Sequence, residues 1–396
     1  MELLTTKNKL LMSLVMDNLS FTMMIVMFFP YINGLGGSQL YLGSIMSVMS
    51  LIGLLWNPMV GSLGDTYGRK ILLIRMSAVS AFSYFLLLVS NSLPLIFIAR
   101  LIAAFGGPLM PILGTAASEF LSKEEQTSYF GKLPAIMSVA FIGGSLVGGF
   151  ISELPNGFGL CFLMMTAFSL MNVGIAYTLP DSTKPKKKEE ESLPMLKIAD
   201  REVRNIATKL RSVKWAEYSD IFSVKLSFEL GCALFFRSIG PTFVAYGVKP
   251  RSMGYVFTLL SACTIVANIV VERLKKTVYA GDSLGSKRLF HAAALYVLTA
   301  FAMGFADNLY IFSAGLLPMA VANTIAGSTF TEALMAKASD ADRGGVNGAF
   351  ESITSFCGLT TPLAAGFLSD LYGNGFVIKM SILPTSLGLW LTYKAL

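Results

Sequence analysis

What most constrains this chain is a series of twelve apolar runs, most about 20 residues long or longer, separated mainly by short polar connections within 396 residues. They lie at roughly 10–33, 41–61, 71–91, 94–117, 128–152, 158–180, 219–246, 252–272, 287–306, 309–335, 344–369 and 374–393. An α-helix rises about 1.5 Å per residue, so about 20 apolar residues cross the ~30 Å hydrocarbon core of a bilayer. Within lipid every backbone N–H and C=O must be paired inside the protein, and a helix does this unaided. The expected fold is therefore all-α and integral to a membrane, with twelve transmembrane helices. Composition agrees: with 54% hydrophobic and 14% charged residues and a mean hydropathy of +0.63, the chain has too little charge to cover a soluble protein of this length.

The formal net charge of +7 could suggest nucleic acid, but its distribution argues otherwise. If the chain starts inside, most of the 31 lysines and arginines fall in cytoplasmic connections or at their edges, and the outer connections carry almost none. That asymmetry is the positive-inside rule, so the partner is the lipid bilayer, with both termini cytoplasmic and no role for nucleic acid. The first run is too long for a signal peptide. Cys161, Cys232, Cys263 and Cys357 all lie in apolar runs without disulfide or metal-ligand spacing, and read as small buried residues. No hydrolase set, phosphate loop or metal cluster is present, so neither enzymatic activity nor a cofactor or metal is expected.

The connection at 181–220 divides the spans six and six, giving an N-terminal bundle (1–180), a cytoplasmic linker and a C-terminal bundle (221–396). The linker opens with the polar string DSTKPKKKEEES. It then places Val203, Ile206, Leu210 and Val213 at helical spacing among basic residues, as in a helix lying on the inner leaflet, or a coil with chance periodicity. An internal repeat supports the division. GFISEL at 149–154 returns as GFLSDL at 366–371, and at the same offset Gly131 pairs with Gly348 and Ser138 with Ser355. With one shift, Gly114 aligns with Gly327 and Glu119 with Glu332, so spans 4 and 5 match spans 10 and 11.

Between spans 2 and 3 lies GSLGDTYGRK, residues 61–70. Gly61 is expected to close the first helix and Gly68 to permit the reversal. Asp65 is placed to cap a neighbouring helix, while Arg69 and Lys70 are expected to face headgroups. This pattern resembles the loop motif between helices 2 and 3 of the major facilitator superfamily. The basic stretch after span 8, ERLKKTVYAGDSLGSKR, reads as lacking the Asp and Gly spacing, so no second copy is expected. In span 5, Gly144, Gly148 and Gly149 resemble the antiporter signature of that superfamily, with Ser145 where the family has proline. Span 11 has Pro362 at the equivalent position and Gly366 beyond it. Glycines at this spacing form a flat face for close helix packing. Arg100 and Gly106 in span 4 resemble the pattern of drug-proton antiporters, although Arg100 could instead snorkel to the surface. Asp17 with Pro30 in span 1 resembles tetracycline-type efflux antiporters, and Glu229 with Pro241 in span 7 is its counterpart.

The resemblance implies two pseudo-symmetric six-helix bundles around a central cavity, working as a monomer by alternating access. It also implies that Asp17 and Glu229 face that cavity and that Glu119 pairs with Arg69 in an inner gate. Lys225, four residues before Glu229, makes a local neutral pair there, leaving Asp17 as the better proton carrier. Arg237, in mid-span 7, is the costliest buried charge and so the candidate contact for substrate or a carboxylate. Glu351 reads either as functional or as a first-turn carboxylate held by the helix dipole. His291, the only histidine, reads as an interface residue. The implied function is secondary active transport of a small organic solute, as proton-coupled antiport. Uniport or symport of a solute, or a non-transporting scaffold or receptor of the same fold, stay open.

Overall fold

In a computed structural model of the chain, the residues described are 5–107, 109–181, 204, 208, 211, 215–282, 285–306, 308–337 and 343–395. They form helices α1 (Thr6–Gly34), α2 (Gln39–Tyr67), α3 (Arg69–Leu88), α4 (Leu93–Gly106), α5 (Met110–Phe120), α6 (Lys123–Ser152) and α7 (Gly157–Tyr177). The second half follows with α8 (Trp215–Ala245), α9 (Pro250–Lys276), α10 (Ser286–Gly304), α11 (Leu309–Ala314), α12 (Leu316–Lys337), α13 (Arg343–Tyr372) and α14 (Asn374–Ala395). Span 4 is made by α4 and α5, and span 10 by α11 and α12, so the fold is all-α with twelve spans. Eight of these are long and apolar enough to cross a membrane by length and composition alone. Among the others, α8 carries Lys225, Glu229 and Arg237, and α13 carries Glu351 and Asp370, so charge rather than length sets them apart.

The two halves pack alike. In the first, α1 lies against α6 and α7, and α3 against α7 and α4. In the second, α8 lies against α13 and α14, and α10 against α14 and α12. These are pseudo-symmetric six-helix bundles. By their contacts the residues group into one unit of Met1–Gly37, Val48–Val203 and Lys249–Thr258, and another of Ser38–Ser47, Arg204–Val248 and Leu259–Leu396. The first turns of α2 and α9 thus group with the opposite half, which a division at the linker does not anticipate. The expected interfacial helix of the linker lies largely outside the described residues. From Trp215 the chain is already in α8, several residues before the linker was expected to end.

Glycine governs how closely α1 and α6 approach. A Cβ on Gly144 would collide with the Thr22 hydroxyl and come within 2.8 Å of the Leu19 carbonyl, and one on Gly148 would stand 3.0 Å from the Met23 Cα. Gly149 faces the start of α9, 3.0 Å from the Pro250 carbonyl by the same measure. The core of the first unit is aliphatic around Leu14, Leu72, Met76 and Ile112. That of the second is aromatic: Phe228 packs edge-on against Tyr296 at 5.2 Å, and Phe235 stacks on Phe312 at 6.3 Å.

The hinge between spans 2 and 3 is far shorter than expected. α2 continues to Tyr67, with the Gly68 N–H donating to the Gly64 carbonyl at 3.1 Å, and α3 begins at Arg69. Gly68 alone makes the reversal, at φ 88°, a conformation glycine adopts without steric cost. Gly61 does not close the helix, because nothing between it and Tyr67 denies the backbone its ladder. Gly61 and Asp65 lie on the last turns of α2, and their surroundings lie outside the described residues.

Candidate functional site

In the first unit, span 4 is interrupted where the sequence reads Gly106-Gly107-Pro108, with Gly107 at φ +60°. The interruption frees the backbone N–H of Leu109, at the start of α5, from the helix ladder. The half-buried carboxylate of Asp17 on α1 faces that N–H. Tyr84 on α3 lies near both Asp17 and Arg100. Arg100 does not snorkel: it lies 5.3 Å over the Phe28 ring, with its Nε buried and unpartnered among the described residues. Tyr84 and the break in span 4 were missing from the sequence reading.

At the end predicted to face the cytoplasm, buried Arg69 forms an ion pair with Glu119 of α5, and Lys70 pairs with Asp181 at 3.0 Å. Arg69 therefore points into the protein and not toward headgroups. The second unit contains the copy of this device that the sequence reading denied. Asp282 precedes Gly285 by three residues, as Asp65 precedes Gly68, and both glycines take positive φ. The Asp282 carboxylate accepts from the Arg288 backbone N–H at 2.9 Å, capping α10, and meets the Arg288 side chain at 3.3 Å. Arg288 also reaches Glu332 at 2.5 Å, and Lys275 pairs with Glu332. Glu332 is the residue that the repeat aligns with Glu119.

Within the second bundle, Lys225 and Glu229 pair at 2.7 Å, with the ammonium 5.0 Å over Phe350. Cys232, one turn on, donates to the Asn323 side-chain oxygen at 3.2 Å. Arg237 meets no carboxylate among the described residues; its side-chain partner is the Met46 sulfur at 2.9 Å. Glu351 is exposed and lies more than two turns beyond the start of α13 at Arg343, so the first-turn dipole reading does not apply to it. His291 Nδ1 lies 3.0 Å from the Tyr279 hydroxyl near the start of α10.

At the opposite end of the spans a second repeated device appears, also missed. Asp370, at the end of α13, accepts from the backbone N–H groups of Gln39 and Leu40 at 3.0 and 2.9 Å, and so caps α2. Glu153 follows α6 and accepts from the Arg251 N–H at 3.0 Å at the start of α9. Glu153 and Asp370 are the fifth residues of GFISEL and GFLSDL, so the repeat that divides the chain also carries the pair of caps. Beside them, Gly366 faces the Gln39 carbonyl, where a Cβ would stand at 2.5 Å, and Gly43 faces the carbonyl of Pro362.

No group of His, Cys, Asp and Glu able to hold a metal occurs among the described residues. A family model described as the Major Facilitator Superfamily matches residues 10–362. The tetracycline resistance protein of class D from Salmonella ordonez is 22% identical over 335 residues, 82% of this chain and 79% of that protein. The class H protein from Pasteurella multocida is 25% identical over 135 residues, so that match spans about a third of either chain. In structure, the nucleoside transporter NupG superposes with a TM-score of 0.75 at 14% identity, covering 99% of this chain and 98% of its own, which is a likeness of fold. With these twelve spans, this repeat and this match, the chain belongs to the Major Facilitator Superfamily.

Proposed function

We propose that the protein is a secondary active transporter that exports a small organic solute by alternating access in exchange for protons. The observation that carries the reading is Asp17, a membrane-depth carboxylate with no cation paired to it among the described residues, facing a freed backbone N–H and close to Tyr84. A carboxylate in that position can take up a proton on one side and release it on the other as access alternates. Arg100 lies beside Tyr84 and forms no salt bridge with Asp17 among the described residues. A proton moving through ~100 mV supplies about 2.3 kcal/mol, enough for about fiftyfold accumulation of solute.

The charged clusters at the predicted cytoplasmic ends complete the reading. Arg69 with Glu119, and Arg288 with Glu332 and Lys275, act as inner latches that hold one state closed and part in the other. The glycines at 144, 148 and 149, with Pro362 and Gly366, let the packed helices slide. The resemblance of spans 1, 4 and 5 to drug-proton efflux antiporters supports export over uptake.

Flux into proteoliposomes tests this against a panel of organic cations, anions and sugars. An imposed pH gradient should drive accumulation of at least one solute, and a protonophore should abolish it. Solute equilibration that ignores the pH gradient would instead establish a uniporter.

A further inference from the structure

The strongest unexplained group in the molecule is Arg237. Among the described residues Arg69 pairs with Glu119, Lys225 with Glu229, and Arg288 with Asp282 and Glu332, whereas Arg237 has no acidic partner. A guanidinium offers five N–H donors, whereas the thioether of Met46 is a weak acceptor and carries no charge. Asp370, the acid nearby on α13, is already engaged by the N–H groups of Gln39 and Leu40.

Arg237 lines a narrow cleft whose walls come from the start of α2, from α8 and from α13. Apart from the arginine the cleft is largely apolar, with Leu42, Met46, Pro241, Pro362 and Ala365 among its lining. Its floor exists because glycine permits it: Gly43 lies against the Pro362 carbonyl and Gly366 against that of Gln39, so side chains there would force the helices apart. An apolar cleft with one unneutralised fork of donors is the usual plan of a small-molecule site.

Resting on the transport reading above, we propose that this cleft is the anion-recognition subsite, and that the transported solute is a small organic monocarboxylate held by Arg237. The planar guanidinium matches a carboxylate through two parallel hydrogen bonds. One cation balances one carboxylate, whereas a doubly charged phosphate would leave a negative charge uncompensated at membrane depth. Met46, flexible and polarisable, can yield to the organic body of the solute.

Benzoate is the probe, with benzamide as its neutral isostere, and binding is measured on purified protein by scintillation proximity with radiolabelled benzoate. Wild type should bind benzoate, and benzamide should fail to compete. Arg237→Gln should weaken binding at least about tenfold, and Arg237→Lys, which keeps the charge but loses the fork, should fall between them. Phenylglyoxal labelling of wild type gives a readout that needs no variant: benzoate should protect Arg237 from modification and benzamide should not. Absence of benzoate binding, equal competition by benzamide, or full binding by Arg237→Gln would each overturn the proposal. These are equilibrium measurements without a pH gradient, so they hold if proton coupling fails. Conversely, pH-driven flux of a neutral or cationic solute alone would leave the transport reading standing and remove this one.

Discussion

Replacing Gly144 by alanine should destabilise the first bundle by about 1–3 kcal/mol, the usual range for overpacking a tight contact. Ordinary contacts begin near 3.4 Å, while the new Cβ would lie 2.8 Å from the Leu19 carbonyl and closer still to the Thr22 hydroxyl. α1 and α6 must therefore part by about 0.6 Å against Leu19 alone, and by more unless Thr22 gives way. Thr22 has little freedom, being fully buried with its hydroxyl bonded to the Asn18 carbonyl at 2.9 Å. Thr22→Ala removes the hydroxyl but leaves the Leu19 carbonyl in place, so the double variant should recover only part of the loss. The assay is thermal unfolding of purified protein in detergent for the four members of the cycle, with an expected coupling of about 0.5–3 kcal/mol. A Gly144→Ala protein as stable as wild type, or a double variant with simply additive losses, would refute the packing argument. The same displacement moves Asp17, which lies on α1 just before Leu19, so transport should fall with stability.

Two further predictions concern the repeated charge devices. Glu119→Gln breaks the buried ion pair with Arg69 and should cost about 1.5–3 kcal/mol; an unchanged thermal midpoint would disprove the pairing. Asp370→Asn should weaken the cap on α2 by about 0.5–2 kcal/mol and speed maleimide labelling of a cysteine placed at Ser38, with Glu153→Gln doing the same at Lys249; unchanged labelling rates would remove the caps from the account.

The spans were legible because a bilayer imposes one length and one composition on every crossing, and the two halves because GFISEL and GFLSDL preserve their spacing. Function at the ends of the same motif was not read. A carboxylate closing a helix looks solvated until the start of another helix is brought against it, as the starts of α9 and α2 are against Glu153 and Asp370. The second hinge escaped for a geometric reason. Its arginine follows the glycine by three residues instead of one, yet that places Arg288 in the first turn of α10, where it reaches Glu332. The interruption of span 4 was visible as Gly-Gly-Pro but was read through as one helix, so the N–H that Asp17 faces could not be foreseen. Tyr84 gives no signal among 14 tyrosines, and the thioether beside Arg237 is distant in sequence, brought there by the start of α2.

The most direct test of the central claim compares wild type with Asp17→Asn in proteoliposomes, using a solute that wild type accumulates, in two modes: uptake driven by an imposed pH gradient, and exchange at equilibrium. The amide mimics the protonated acid, so the variant should lose pH-driven accumulation while still exchanging solute across the membrane. If Asp17→Asn still concentrates solute in response to pH, Asp17 is structural and the proton must be carried elsewhere, with Glu229 and Glu351 the groups to examine next.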